Sequence, residues 1–118
     1  AFDVIGPSGG QTGSASSNFT ISLATGGKFY SGTITLTASN GIIIASAAGG
    51  TIVGNGTSVV NVTPADGQTS FTYTYTPLSA GSKTIAYTNS QSWQNPPNTS
   101  YSAVGSPIAS LSCGFFIN

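Results

Sequence analysis

Phe71-Thr72-Tyr73-Thr74-Tyr75-Thr76-Pro77 alternates an aromatic with a threonine at every step and then stops at proline. Strict alternation places one set of side chains on each face of a pleated strand, and β-branched and aromatic residues favour that state. Proline cannot donate to a strand ladder, so the strand should end there. The rest of the chain reads outward from this segment.

Upstream, Phe19, Ile21 and Leu23 share one face against Thr20 and Ser22, and the stretch from Gly32 to Ser39 repeats the pattern, with Ile34, Leu36 and Ala38 inward and Thr33, Thr35 and Thr37 outward. Asn40-Gly41, Asn55-Gly56 and Asp66-Gly67 mark turns, because these residues tolerate positive φ. Between them, Ile42-Ile43-Ile44 is a continuous apolar run suited to a central strand. Val60 and Val62 face one way and Val59 the other. Phe2 to Ile5 is suited to a sheet edge, whereas Gly6 to Ser14 reads as a loop.

Downstream, residues 78–81 turn the chain into Lys83 to Asn89, where Ile85 and Tyr87 share a face; residues around Trp93 read as a loop and Asn98 to Val104 as a strand. Tyr73, Tyr75 and Tyr87 fall on inward phases. From Ile108 to Asn118 the pattern alternates again, with Leu111, Cys113, Phe115 and Ile117 in phase and Phe116 beside them. The expected fold is an all-β immunoglobulin-like sandwich of seven or more antiparallel strands with an extra C-terminal strand or arm. Its divisions are a lead-in or edge strand over 1–15, a domain over 16–104 and a docking tail over 105–118.

The chain of 118 residues is 38% hydrophobic and 3% charged, its charges being Asp3, Lys28, Asp66 and Lys83. That composition supports one core. It excludes a basic groove for nucleic acid. Without His or Glu, and with two carboxylates in terminal and turn positions, it offers neither a general acid–base pair nor a serine triad. One cysteine and two aspartates do not make a zinc shell, so no metal or cofactor is expected. No apolar run reaches the roughly 18 residues of a membrane span. A single cysteine rules out an internal disulfide. Ala1 reads equally as the residue exposed by removal of an initiator Met and as one following a cleaved leader or boundary.

The ordered phrases Ser16-Ser17-Asn18-Phe19-Thr20, Ser31-Gly32-Thr33-Ile34-Thr35-Leu36-Thr37, Phe71 to Pro77 and Ala80-Gly81-Ser82-Lys83-Thr84-Ile85, with Asn95 to Ala103, resemble immunoglobulin-like modules of tailed-phage virion proteins and bacterial surface proteins. The resemblance covers about residues 6–104 and implies a structural or adhesive role without catalytic residues. The expected function is a virion surface protein decorating the phage head and attached to capsid or another virion protein. The alternative is an adhesion or carbohydrate-binding module of a larger bacterial surface protein or enzyme, bound to a cell-surface glycan.

Trp93, Tyr30 and Tyr101 are the candidates for stacking on a sugar ring, against the plainer reading of core packing or a loop plug. Leu111, Cys113, Phe115, Phe116 and Ile117 are the candidate contacts for self-association into an oligomer or array. Two threonine rows, 33/35/37 and 72/74/76, also invite an ice-ordering surface; strand twist argues against the flat lattice that this requires.

Overall fold

Each alternating stretch forms a strand because its apolar row can be buried only against a second sheet. The structure, a computed structural model, describes residues 1–105. Ten strands occur among them: β1 Phe2–Ile5, β2 Gly9–Gln11, β3 Phe19–Leu23, β4 Ile34–Ala38, β5 Ile42–Ser46, β6 Thr51–Val53, β7 Val59–Thr63, β8 Ser70–Thr76, β9 Gly81–Asn89 and β10 Thr99–Val104. The only helical element among the described residues is a 3-10 turn at Ala24–Gly26. One sheet has the order β1-β3-β8-β5 and the other β2-β10-β9-β4-β7-β6.

The inner rows of the two sheets form one core. Phe2, Phe19, Ile21, Ile43, Phe71, Tyr73 and Tyr75 from the first sheet meet Ile34, Leu36, Val60, Val62, Ile85, Tyr87 and Tyr101 from the second. Each such side chain contributes about 1.5–3 kcal/mol by burial. Phe19 stacks on Tyr73 with ring centroids 4.6 Å apart and planes 5° apart. Three of the four buried phenols are satisfied: Tyr73 and Tyr87 share a hydroxyl–hydroxyl bond, Tyr87 and Thr99 another, and the Tyr75 hydroxyl donates separately to the Asn40 carbonyl, whereas the Tyr101 hydroxyl has no hydrogen-bond partner among the described residues. Burial pushes all of Tyr73, Tyr75, Tyr87 and Tyr101 above the usual phenol range.

Several local expectations change. Ile42–Ile44 is an edge strand, with Ile43 buried and Ile44 about half exposed at 48%. At the Asn40-Gly41 turn the chain crosses between the sheets, since β4 and β5 lie in different ones. Within the expected loop of 6–14, residues 9–11 form β2, which pairs parallel with β10 and departs from the all-antiparallel expectation. Gly6 allows the chain to leave β1 at this point, because a Cβ there would run into the Phe19 ring. The first strand begins at Phe2, within the 1–15 segment. The expected C-terminal strand, with Leu111, Cys113, Phe115, Phe116 and Ile117, lies outside the described residues.

Candidate interaction surfaces

Three kinds of surface result from this architecture: a loop end, two broad sheet faces and the sheet edges.

At the loop end, Phe29 is buried and bonds the neighbouring loop through Phe29 N to Gln68 O (2.7 Å) and Gly67 N to Phe29 O (2.8 Å). Ser31 takes the left-handed conformation, φ 56°, where side chains are costly. It is held there from both sides, its N–H donating to Asp66 Oδ1 at 3.1 Å and its carbonyl accepting from Gln91 Nε2 at 3.0 Å. Trp93 plugs the centre of these loops. Its ring meets Phe2 and Phe29 edge-on at 6.3 and 5.9 Å, and Gly32 leaves room for it. Tyr30 projects outward, 58% exposed.

The three residues considered for sugar stacking therefore do not form a common platform. Tyr30 presents its ring to solvent and Trp93 supports the loops from beneath. Tyr101 is corrected to a core residue, 2% exposed, because it occupies the inward phase of β10 and packs edge-on against Tyr75 at 5.1 Å.

The two threonine rows lie on opposite sides of the molecule. Thr33, Thr35 and Thr37 belong to the strip running into and along β4 in the six-stranded sheet, where Thr33 bonds Thr63 (2.7 Å) and Thr35 donates to Asn61 (2.6 Å). Thr72, Thr74 and Thr76 lie on β8, where register sets Thr72 opposite Thr20 and Ser46, Thr74 opposite Ile44, and Thr76 opposite Ile42. One surface spends its hydroxyls across strands, and the other interleaves them with isoleucine. Neither is a continuous threonine lattice.

Charge is nearly absent from both faces. Asp3 sits on the outermost strand of one sheet. Lys28 and Asp66 lie in loops, and Lys83 points inward, 8% exposed, its ammonium donating to Ser79 Oγ at 2.8 Å. A shallow cleft of about 250 Å³ opens beside β9 and β10, lined by residues Ser8, Ser82, Lys83, Thr84, Ser100, Tyr101 and Ser102. Among the described residues no group of three or more metal-ligating His, Cys, Asp or Glu side chains forms.

No family model matches the chain, and no curated protein matches its sequence significantly. Solved structures do share the fold. The reeler domain of human F-spondin aligns with a TM-score of 0.63 at 15% identity, over 87% of this chain and 92% of that one. Domains 4 and 5 of the S-layer protein SbsC align with a TM-score of 0.54 at 17% identity, over 88% of this chain and 51% of that one. This chain thus spans about half of the two-domain S-layer fragment. The Reelin-N domain of F-spondin aligns at 0.52 and 21% identity, over 90% of this chain and 79% of that one. At such identities the likeness is one of fold.

The edges differ from one another. The outward backbone groups of β5 are covered by the β6–β7 loop: Ile43 N donates to Thr57 O (2.9 Å) and Ile43 O accepts from Gly56 N (2.8 Å). Asn55 completes the cover, its Oδ1 accepting from Ala45 N at 2.7 Å and its Nδ2 donating to Ala45 O at 3.2 Å. Sequence reading assigned Asn55 only to a turn. Nothing in a lone Asn-Gly dipeptide announces that its amide will stand in for a strand.

Proposed function

We propose that this chain is a non-catalytic structural domain of an outer biological surface, an immunoglobulin-like sandwich that acts by contact with neighbouring proteins. One observation carries the reading: both broad faces are surfaced by Ser, Thr, Asn and aliphatic side chains, with the four charges displaced to an edge, loops and the interior. Surfaces of this kind pack against one another without like-charge repulsion, and the chain's formal net charge is zero.

The fold shared with an S-layer protein domain and with the reeler domain of human F-spondin supports a surface or extracellular domain, which we read as a module of a bacterial cell-surface protein. A second reading, decoration of a phage head through contact with capsid protein, is favoured by the phrases Ser31 to Thr37 and Phe71 to Pro77. If a glycan is a partner at the cell surface, Tyr30 is the ring that would stack on it, with Trp93 as its support. Immunogold labelling of intact source cells and particles with antibody to the folded domain tests the proposal. Gold on envelopes or on phage heads is the expected result and separates the two readings. Label confined to the interior of broken cells would contradict both.

A further inference from the structure

Among the described residues the four-stranded sheet has one closed edge, β5, and one open edge, β1. Register shows which groups the open edge offers. Phe2 pairs with Leu23 and Val4 with Ile21, while Ala24 N donates to Ala1 O at 3.0 Å. Bonded and non-bonded pairs alternate along an antiparallel ladder. Asp3 and Ile5 therefore bond to β3, and the N–H and C=O groups of Phe2 and Val4 point away from the sheet. No strand pairs with them among the described residues. The usual guards of an edge, lysine, proline or a bulge, are missing from Phe2–Ile5, and Asp3 is the one charge.

We propose that this edge receives residues 106–118 of a second copy as an added strand. The chain continues 13 residues past Gly105, and Leu111, Cys113, Phe115 and Ile117 alternate there with Ser110, Ser112 and Gly114, Phe116 being the one large residue of the other row. Such a strand has one apolar row to set beside Phe2 and Val4, which already face the core. Thirteen residues span at most about 43 Å extended, enough for a short linker and a seven-residue strand. No charged residue lies between 106 and 118 to oppose the contact.

A neighbour's tail suits this edge better than the chain's own. β10 ends at Val104 beside Gln11, at the opposite end from Trp93 and Phe2. To climb the β1 edge, the same chain would cross residues 6–8, which connect β1 to β2, and connections on one sheet edge avoid crossing. Donation from copy to copy carries no such crossing and propagates. The inference rests on the surface-domain reading above and supplies its means of assembly.

Two full-length variants separate donor from acceptor. Val4→Pro removes an outward N–H that β3 does not use, closing the edge while keeping the tail. Phe115→Asp breaks the tail's apolar row and leaves residues 1–105 untouched. Sedimentation velocity should show the unaltered chain associating as concentration rises and each variant remaining monomeric alone. An equimolar mixture of the two should double the mass of its main species, because one variant has an intact tail and the other an intact edge. A monomeric unaltered chain, an unchanged Phe115→Asp, or a mixture that stays monomeric overturns the proposal. If Val4→Pro does not fold, the Phe115→Asp result still decides whether the tail is required. Failure here leaves the immunogold result standing, so the two claims fall separately.

Discussion

At the β5 edge, Ile43 and Ala45 direct four backbone groups outward, and all four find partners in residues 55–57. At the β1 edge of the same sheet, Phe2 and Val4 direct theirs outward and meet no strand among the described residues. The difference arises from chain proximity. The β6–β7 hairpin loop lies close enough to fold over β5, and the Asn55 amide, with a donor and an acceptor spaced like a peptide group, completes the cover. Among the described residues nothing comparable lies beside β1. One edge is finished locally, and the other is the edge proposed above to receive a second copy's tail.

The largest expected effect erases both edges at once. Tyr73, Tyr75, Tyr87 and Tyr101 have pKa values raised from the ordinary 10.0 by burial. Their stabilisation is fully present below about pH 10, and it is lost as pH rises above that value because the unfolded phenols then release protons that the folded ones keep. Alkaline titration followed at the tyrosinate band should therefore show these four ionising together with loss of circular dichroism. Independent ionisation near the ordinary value, with the fold intact, would contradict the burial.

Phe2→Ala attacks the open edge alone. Phe2 is 1% exposed and touches Tyr87 and Trp93 edge-on, so the substitution should cost about 3–5 kcal/mol in denaturant unfolding. A loss under about 1 kcal/mol would mean that β1 is not anchored as described. Asn55→Ala attacks the closed edge. It strands the N–H and C=O of Ala45, which should cost about 1–3 kcal/mol and introduce association through β5. Asn55→Asp keeps the acceptor and loses the donor, and should fall between. Tyr30→Ala is the control: its ring is exposed at the loop end, and stability should change by less than about 0.5 kcal/mol with neither edge affected.

The inward rows were legible in the sequence. Phe19 and Ile21, Ile34 and Leu36, Val60 and Val62, and Phe71, Tyr73 and Tyr75 are buried where alternation put them. Alternation carries this information because a strand has only two faces. Strand order is a matter of long-range pairing, and it was not legible: Ile42–Ile44 is as apolar as a central strand yet forms an edge, its outer side covered by the hairpin loop. Lys83 occupies the inward phase with Ile85 and Tyr87, an exception that pattern reading passes over. Tyr101 could have been placed, since Tyr101 and Ala103 alternate with Ser100 and Ser102 in the same way as the other buried rows. β2 could not, because Gly9-Gly10-Gln11 has strand geometry through its bonds to β10 and not through its side chains.

Residue-level amide hydrogen exchange on the full-length chain compares the two edges directly. In dilute, monomeric samples the Ile43 and Ala45 amides should be protected on the order of 100-fold more than those of Phe2 and Val4. Raising the concentration into the associating range should then protect Val4 while leaving Ile43 and Ala45 unchanged. Equal protection of Val4 and Ala45 in the monomer, or a Val4 amide indifferent to concentration, would contradict the account of one closed and one receiving edge.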